Sequence, residues 1–444
     1  MITSDASPVQ FSDRLPEAVD VAVIGGGVIG IATAWFLRQS GVSVLVCDKG
    51  RVAGEQSSRN WGWIRQQGRD AAELPIATDG INAWEQIAAD LDTDIGFTRQ
   101  GVLYAAENEA QLAHYESWLR DVATPQQLDS RMLSADEVDE RIGDKPGQWR
   151  GGLFTPSDGR AEPWKAVPAL ARGLRARGGL IRENCAVRTI EREAGRVTGL
   201  VTEHGSVRTQ SIVLAGGAWS TLFLGNLGIR LPQLTVRSTV ARTLAAPDIY
   251  AGGAVLGEVS IRRRADGGYT VAANGINEHY VGLDSVRFAR AYWPALRAST
   301  VELRLRFGDD LLDRLFPQRH WQADAQSPFE RTRVLNPPPS RVALRDMRNA
   351  LIDRVPTLGA VPFAQAWAGM IDVLPDVVPV MDEVRGWPGF YLATGFSGHG
   401  FGIGPGAGKV MARMVLGDAP QHDLTRFRFA RFDDGTPMVP GPGL

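Results

Sequence analysis

The sequence is poor in the residues that build disulfide frameworks and cysteine-based metal sites. Its 444 residues include only two cysteines, Cys47 and Cys185. Two cysteines are too few for either kind of site, so we expect no metal. Cys47 lies in the apolar run VLVCD, where a buried free thiol is expected. This cysteine usage is typical of a reduced, intracellular protein.

The sequence also lacks a large net charge and an apolar segment at its start. The formal net charge is −2, which gives no electrostatic reason to expect a nucleic acid partner. The first 20 residues are polar and do not resemble a signal peptide. The uncharged run 21–37 contains four glycines and is shorter than the roughly 20 apolar residues of a membrane span. We expect a cytoplasmic protein without a transmembrane segment, with peripheral attachment to the inner membrane left open.

The start of the chain has the pattern of a nucleotide-binding unit. Val21–Ile24 is a short apolar run that predicts a buried strand, and Val28–Gln39 predicts a helix. The β-branched run 42–47 predicts a second strand. Strand, glycine turn, helix and strand in this order indicate a βαβ unit with parallel strands. A chain of 444 residues is long enough for two domains.

The glycines of this turn have the spacing of a dinucleotide-binding motif. Gly25, Gly27 and Gly30 satisfy GxGxxG: the first permits the turn, the second admits a pyrophosphate, and the third lets the helix pack on the strand. The helix N-terminus then directs amide groups at the phosphates. Asp48 follows Gly30 by 18 residues, where a carboxylate accepts hydrogen bonds from ribose hydroxyls. The motif alone does not separate NAD from FAD.

The rest of the chain predicts a second kind of architecture. Residues 76–92, 108–121 and 162–178 are predicted to be helical. Residues 231–281 alternate apolar and polar positions between glycine turns, which predicts antiparallel strands. Residues 289–315 are predicted to be mostly helical, and a last helix is predicted to begin near Gly408. The fold class is therefore α/β (α+β overall), with a Rossmann-like domain and an inserted antiparallel-sheet domain.

Four segments carry a resemblance to a known family. They are the polar loop 50–62, the run VLAGGAWS at 213–220, the run WAGM at 367–370 with LPD at 374–376, and the run TGFSGHGF at 394–401. On these segments the chain resembles the D-amino-acid-oxidase superfamily of FAD-dependent enzymes, which includes sarcosine oxidase, glycine oxidase and bacterial L-amino acid deaminases. The stretches 202–231, around Trp321, and 327–330 look closest to the deaminases.

The resemblance implies a discontinuous FAD-binding domain over 18–90, 150–228 and 346–430. The substrate-binding domain then covers 91–149 and 229–345. No cysteine lies in 367–370, where some sarcosine oxidases attach the flavin, so noncovalent FAD is expected. The predicted cofactor-binding residues are Gly25, Gly27, Val28, Ile29, Gly30, Asp48, Lys49, Gln56, Ser57, Ser58, Asn60, Trp61, Gly62, Val187, Ala215, Gly216, Trp219, Gly369, Met370, Gly398, His399, Gly400, Phe401 and Gly402.

Two positions bear on the electron acceptor. Sarcosine oxidases carry a lysine where this chain has Gly402. The lysine that assists oxygen reduction in those enzymes falls near Thr270. The resemblance therefore leaves two acceptors open, oxygen and a quinone, and it does not favour a fast reaction with oxygen.

The resemblance implies oxidation of a C–N bond to an imine, which water hydrolyses to a keto acid or an aldehyde. Arg262 matches the arginine that binds the substrate carboxylate in the deaminases, and a solvated basic turn at 262–264 is the alternative. The polar residues that follow the flavin loop are candidates for substrate contact, with an exposed helix start as the alternative; they are Arg65, Gln66, Gln67 and Arg69. Phe396 is a candidate wall of the substrate pocket. His399 is a candidate neighbour of the flavin, although a lone histidine is more often structural.

Two other functions are weighed against this one. The first is a flavin-bearing subunit of a multi-subunit amine or opine dehydrogenase complex. The second is a nicotinamide dehydrogenase, against which the loop 54–62 and the glycine turn 395–402 both argue. The expected partner is a small amine or amino acid, whose side chain, stereochemistry and degree of substitution the sequence leaves open.

Overall fold

The computed structural model describes residues 2–274, 276–298, 302–308 and 311–441. Its helices are α1 (Val28–Gln39), α2 (Gln56–Arg59), α3 (Leu74–Asp90), α4 (Glu109–Trp118), α5 (Ala135–Arg141), α6 (Pro163–Ala176), α7 (Ser220–Asn226), α8 (Leu283–Arg287), α9 (Ala289–Ala298), α10 (Leu311–Leu315), α11 (Pro328–Arg331), α12 (Arg341–Arg354), α13 (Pro356–Gly359) and α14 (Gly400–Leu416). A turn of π-helix, Leu119–Ala123, extends α4.

The strands fall into two large sheets and two small ones. They are β1 (Val21–Ile24), β2 (Val44–Cys47), β3 (Trp63–Ile64), β4 (Thr98–Arg99), β5 (Val102–Ala106), β6 (Arg131–Leu133), β7 (Gly151–Thr155), β8 (Gly159–Arg160), β9 (Leu180–Arg182), β10 (Val187–Glu193), β11 (Arg196–Thr202), β12 (Gly205–Arg208), β13 (Ser211–Leu214), β14 (Leu234–Thr243), β15 (Gly253–Leu256), β16 (Val259–Arg263), β17 (Tyr269–Ala273), β18 (Ile276–Tyr280), β19 (Glu302–Arg306), β20 (Phe363–Val373), β21 (Val380–Glu383) and β22 (Phe390–Thr394).

The first large sheet is the predicted nucleotide-binding sheet. Its order is β21-β22-β13-β1-β2-β9, and every pair is parallel except β21 with β22. Alternate residues of β1 face different cores: Val21 and Val23 pack on helices such as α1 and α6, whereas Ala22 and Ile24 pack on the sheet of β10, β11 and β12. Burial on both faces explains the continuous apolar run. The predicted βαβ unit and the fold class are confirmed.

The second large sheet has the order β19-β18-β14-β17-β16-β15-β5-β7-β6, and β20 pairs with β14. Its pairs are antiparallel as predicted for 231–281, apart from β15 with β5 and β18 with β19. Met347 and Leu351 of α12 are buried with residues of β16 and β17 in one core. β7 and β20, which lie in ranges predicted for the FAD-binding domain, pair in this sheet.

One prediction of secondary structure is incomplete and another is wrong. Residues 289–315 are helical in α9 and α10 as predicted, but they also contain a strand. Within 289–315, residues Glu302–Arg306 form a strand that pairs with β18, because ELRLR alternates with the period of a strand. The last helix, α14, begins at Gly400 and not near Gly408. Its glycines stay helical because they are packed against other helices, which overrides their low helix propensity. In addition, β2 begins at Val44, two residues later than predicted.

Glycines bring α14 unusually close to α1 and α3. A Cβ atom at Gly406 would lie 2.2 Å from the carbonyl oxygen of Ile76 in α3. A Cβ atom at Gly408 would lie 2.7 Å from Ala32 in α1. Any side chain at either position would push the helices apart.

Among the described residues, no helix is both long and apolar enough to cross a membrane.

We predict that Gly406→Ala lowers the free energy of unfolding by about 2–4 kcal/mol, because the added methyl group would overlap backbone atoms of α3, which can move only if the helices shift apart. Urea unfolding of the purified variant measures this change. The matched control is Gly225→Ala in α7, where an added Cβ meets no atom within 4 Å. The control is expected to be neutral or to gain up to about 1 kcal/mol from helix propensity. Equal stability of wild type and Gly406→Ala would contradict the close-packing argument.

Candidate functional site

One long cavity connects the first sheet with the glycine turn before α14. It begins at the carboxyl ends of β1 and β2, passes the N-terminus of α1, and reaches Gly398–Gly402. Its atom-free space is about 2040 Å³, including open solvent at the mouth. Crevices at the carboxyl ends of parallel strands are the usual ligand sites of such sheets.

The N-terminus of α1 forms one wall of this cavity. Gly25 has φ +112°, and a Cβ atom there would lie 2.3 Å from the carbonyl oxygen of Ala215, so only glycine is tolerated. The backbone N–H of Val28 donates to Ser57 Oγ at 2.9 Å. Gly27 and Ile29 line the cavity. A helix N-terminus exposed in this way attracts phosphate groups.

Asp48 is held at the end of β2 by two backbone groups. Its carboxylate accepts from the N–H groups of Gly26 and Gly50, each at 2.7 Å. Burial raises the pKa of Asp48 to about 6, and these two hydrogen bonds act in the opposite direction. The side chain lines the cavity in a fixed orientation. Its remaining lone pairs suit the hydroxyl groups of a ribose.

Arg59 fixes the loop that follows Asp48, although sequence reasoning did not identify it. The buried guanidinium donates to the carbonyls of Gly54, Ala368 and Thr3 and to Asn336 Oδ1. No local pattern marks this role, because its partners come from three distant segments of the chain. The loop is therefore positioned by long-range contacts.

Glu55 is a second cavity residue that sequence reasoning did not identify. It accepts from Lys49 Nζ at 2.8 Å and from Trp219 Nε1 at 3.0 Å. It also accepts from the backbone N–H of Leu335 at 3.0 Å. Lys49 and Trp219, both predicted to bind the cofactor, line the cavity, but their polar atoms are already paired with this carboxylate.

The turn before α14 forms the far end of the cavity. Asp372 accepts from the backbone N–H of Gly395 at 2.8 Å and from Gln233 Nε2 at 3.1 Å. Burial raises the pKa of Asp372. The turn presents the first residues of α14, Gly400 and Gly402 among them, to the cavity. Amide groups at a helix N-terminus stabilise negative charge on a group placed against them.

A polar cluster lies beside this turn. His399 Nδ1 lies 3.0 Å from Glu73 Oε2, and both side chains are almost completely buried. Arg65 and Arg69 line the same cavity. Three buried atoms have no partner among the described residues: His399 Nε2, Glu73 Oε1 and Arg69 Nη1. Glu73 was not singled out as a site residue from the sequence, whereas Arg69 belongs to the polar run after the flavin loop that was.

Burial governs the ionisation of this cluster. It is the largest cause that lowers the pKa of His399 to about 4; Arg69 adds to it and Glu73 opposes it. His399 is therefore neutral at pH 7. Burial also lowers the pKa of Arg65 well below its ordinary value, and the positive charge of Arg69 has the same effect. Arg65 Nη1 donates to the carbonyl of Gln67 at 3.1 Å.

Most residues predicted for the site line this cavity. They are Gly25, Gly27, Val28, Ile29, Asp48, Lys49, Gln56, Ser57, Asn60, Trp61, Arg65, Val187, Ala215, Gly216, Trp219, Gly369, Phe396, Gly398, His399, Gly400, Phe401 and Gly402. Gly30, Ser58, Gly62, Met370, Gln67 and Arg262 are not part of the lining. Gly30 serves packing, since a Cβ atom there would lie 2.0 Å from the carbonyl oxygen of Gly25. Gln67 is fully buried and accepts from Thr155 Oγ1 at 2.8 Å.

Arg262 is buried and lies outside the lining of the cavity. It is 0% exposed, so it does not belong to a solvated basic turn. Its guanidinium forms a two-point ion pair with the buried Glu162, at 3.1 and 3.0 Å, and lies outside the cavity lining. A guanidinium without water requires such a partner. The solvated-turn alternative is therefore wrong, and the role of Arg262 in binding a substrate stays a prediction.

The donor set of the cavity fits a dinucleotide and offers no metal centre. No group of three or more His, Cys, Asp or Glu side chains in the described part of the chain could hold a metal ion. One end of the cavity carries the Gly25 turn, the α1 N-terminus and Asp48. The other end carries the α14 N-terminus. This arrangement suits FAD, with its adenosine at Asp48 and its flavin near α14.

Comparison with known proteins agrees with this geometry. The model of the FAD dependent oxidoreductase family matches residues 20–414. The solved L-amino acid deaminase of Proteus myxofaciens, a complex with anthranilate, is 30% identical, with a TM-score of 0.92 over 98% of this chain and 100% of that one. The β subunit of sarcosine oxidase from an Arthrobacter species is 25% identical over 94% of this chain and 92% of its own length.

Other relatives are longer than this chain. Mitochondrial sarcosine dehydrogenase of Mus musculus is 24% identical over 95% of this chain. The match covers only 42% of that protein, so the chain spans less than half of its length.

The raised pKa of Asp48 predicts a pH dependence of stability for protein freed of bound nucleotide. The folded-state pKa, about 6, exceeds the ordinary value of 3.8, so the folded state binds this proton more tightly. The contribution of Asp48 is favourable below about pH 4 and is lost as the pH rises through about 6. Relative to Asp48→Asn, wild type is expected to lose on the order of 1–3 kcal/mol between pH 4 and 7. Urea unfolding at both pH values measures the difference, and a pH-independent difference would contradict it.

Proposed function

Because the chain belongs to the FAD dependent oxidoreductase family, we propose that it oxidises the C–N bond of an amino acid or N-substituted amino acid to an imine. Water then hydrolyses the imine to a keto acid or an aldehyde. Assignment of the chain to the D-amino-acid-oxidase superfamily from its sequence is confirmed. The observation that supports this substrate is the cluster of Arg65, Arg69 and His399 in the same cavity as the cofactor features, with the buried Glu73 paired to His399 behind it.

FAD supplies the two-electron oxidant when it is bound, and the chain supplies its binding groups. Asp48 would hold the ribose of the adenosine, the N-terminus of α1 the pyrophosphate, and the N-terminus of α14 the flavin end. We propose noncovalent attachment. Both cysteines line the cavity near Asp48. Cys47 directly precedes Asp48 in the chain, and the N–H of Cys185 donates to the backbone carbonyl of Asp48 at 2.8 Å. Neither cysteine is placed at the α14 end.

Arg65 is the better candidate than Arg262 for binding the substrate carboxylate. It lines the cavity, and its guanidinium lies over the rings of Trp63 and Tyr104 at 5.4 and 5.6 Å. Aromatic stacking orients the guanidinium without neutralising its charge. Arg69 adds a second positive charge and a donor atom that lacks a partner. Two buried cations beside each other favour an anionic group between them.

We propose that the electron acceptor is a quinone or another acceptor rather than oxygen. The two positions at which the family resemblance placed a lysine both carry uncharged residues. A Cβ atom at Gly402 would lie 3.2–3.3 Å from the backbone of Trp63, Ile64 and Arg65, which leaves little room for a side chain. Thr270 is buried and accepts from Arg262, away from the cavity lining.

A second candidate function is that of a flavin-bearing subunit of a larger complex. The β subunit of sarcosine oxidase supports it, because this chain matches most of that subunit's length. The two functions differ in one property: an enzyme that acts alone reduces its own flavin with substrate and reoxidises it with a small acceptor, without another chain.

The proposed function is tested by anaerobic mixing of the purified yellow protein with L-, D- and N-methyl amino acids and with simple amines. One class of carboxylate-bearing amine is expected to abolish the flavin absorbance, and a soluble quinone is expected to restore it faster than air. Reduction by amines that lack a carboxylate, and by none that carries one, would contradict the proposal. Retained flavin with no reduction by any compound would favour the subunit role.

The role of Arg65 is tested by Arg65→Met and Arg262→Met. Arg65→Met is expected to raise KM by about 100-fold with little loss of stability, because the substrate carboxylate loses a charged partner. Arg262→Met is expected to lower stability by about 3–5 kcal/mol, because the buried Glu162 loses its two-point ion pair and keeps only the more distant Arg160 and the N–H of Ala265. The double variant Arg262→Met with Glu162→Gln should regain most of the stability that Arg262→Met alone loses. The reverse pattern, with KM moved by Arg262→Met alone, would restore Arg262 to the substrate site.

Noncovalent attachment has a simple test. Acid precipitation of the yellow protein is expected to leave all flavin in the supernatant and a colourless pellet. Yellow colour that remains with the washed pellet would show a covalent bond.

A further inference from the structure

The buried cluster at the α14 end carries donors and acceptors that the protein itself does not satisfy. Among the described residues, Arg69 Nη1 has no acceptor for its hydrogen bonds. His399 Nε2 and Glu73 Oε1 likewise have no hydrogen-bond partner there. Buried polar groups in native proteins are rarely left in this state. Arg65, Arg69 and His399 all line the cavity. A ligand that complements them has an anionic end and a proton-donating end, which is the form of an α-amino acid zwitterion.

Resting on the function proposed above, we propose that His399, paired with Glu73, is the base that accepts the proton of the substrate ammonium group. Removal of this proton is a necessary step, because the nitrogen lone pair that assists C–N oxidation is absent in the ammonium form. His399 acts here as a catalytic residue and Glu73 as a positioning residue that acts through it.

The hydrogen bond to Glu73 sets the tautomer that this role requires. The carboxylate of Glu73 accepts from Nδ1–H at 3.0 Å, so the neutral ring keeps its proton on Nδ1. The lone pair then lies on Nε2, the ring atom without a partner. When Nε2 takes a proton, the ring becomes an imidazolium that forms an ion pair with Glu73. A buried carboxylate that orients a histidine and stabilises its charged form serves other enzymes in the same way.

Substrate binding itself switches on this base. The charged groups around His399 are Arg65 and Arg69 from the loop before α3 and Glu73 at the start of α3. Burial is the largest cause of its low pKa, and the two arginines lower it further. A substrate carboxylate bound to Arg65 and Arg69 neutralises their charges, so the pKa of His399 rises only when a substrate is present. An amine without a carboxylate binds without this rise.

The proton balance of the step is closed. The N–H bond of the ammonium group breaks, its proton forms a bond to His399 Nε2, and the electron pair of the broken bond stays on the substrate nitrogen. No oxidant is consumed. The proton remains on the pair of His399 and Glu73, the dyad, during oxidation of the amine. It is released to solvent when the product leaves.

The test counts protons during binding of a ligand that the enzyme cannot oxidise. The probes are α-methyl amino acids, namely 2-aminoisobutyrate, α-methylleucine and α-methylphenylalanine, which lack the hydrogen on Cα. Isothermal titration of the FAD-loaded protein at pH 8 in phosphate and in Tris, whose ionisation enthalpies differ, gives the protons released to buffer. Wild type is expected to release none, because the dyad keeps the proton. His399→Asn is expected to release close to one.

A rate measurement provides a second readout. At amino acid concentrations well below saturation, anaerobic flavin reduction in His399→Asn is expected to be about 100-fold slower than in wild type at pH 7, because the variant binds only the scarce neutral amine. The deficit is expected to shrink by about tenfold for each pH unit, because solution then supplies the neutral amine. Glu73→Gln keeps an acceptor for Nδ1–H but removes the charge, so its deficit should be smaller and of the same pH dependence. It also provides the test if His399→Asn does not fold.

The matched control is His422→Asn. His422 Nε2 lies 3.0 Å from Asp79 Oδ2, so this histidine is also paired with a carboxylate, but it is not part of the cavity lining. It should behave as wild type in both experiments. Release of one proton by wild type, or a rate deficit of His399→Asn that does not change with pH, would overturn the dyad while leaving the proposed function intact. Failure of wild type to bind any probe, together with no reduction by any amino acid, would overturn the proposed function and the dyad with it.

Discussion

The close approach of α1 and α14 is the constraint on which the site depends. Both helices begin at the cavity, so their N-termini face one continuous space, in which we propose that they act on the two ends of the dinucleotide. This is possible only because Gly406 and Gly408 leave no side chain between α14 and its neighbours. A wider spacing would move the 395–398 turn, and with it His399 and Phe396, relative to Asp48. Helix packing thus sets the length over which the cofactor is held.

The two ends of the cavity differ in how their charges are satisfied. At the adenosine end, Asp48 and Glu55 are each held by hydrogen bonds from protein donors. At the α14 end, Arg65 and Arg69 are cations for which burial is unfavourable, and Arg69 retains a donor without a partner. The carboxylates of the first end are held by the protein itself, whereas the second end keeps a buried donor without a partner among the described residues. This asymmetry supports the proposed preference for substrates that carry a carboxylate.

Local sequence patterns predicted the βαβ unit and the glycine turn, because each depends on neighbours within about 30 residues of the chain. The predicted cavity residues beyond this unit came from the family resemblance. The residues that sequence reasoning missed depend instead on partners that are distant in the sequence. Arg59, Glu55 and Glu73 take their roles from partners far away in sequence, and no spacing rule encodes them. Arg262 shows the same limit, since a likeness at one position does not reveal that Glu162 occupies its guanidinium. The start of α14 was missed because glycine is read as a helix breaker wherever its packing is unknown.

The contacts of Arg59 have a consequence for the order in which the protein is assembled. This one side chain joins a loop near the start of the chain to Asn336, 277 residues away, and to Ala368, 309 residues away. Contacts of such separation form late, because closing the long intervening loop costs conformational entropy before the contacts contribute any stabilising free energy. A ribosome-bound chain that has not reached β20 therefore has its GxGxxG turn but not the loop geometry that completes the pocket. From these contacts we expect cofactor uptake to follow synthesis of the chain rather than to accompany it.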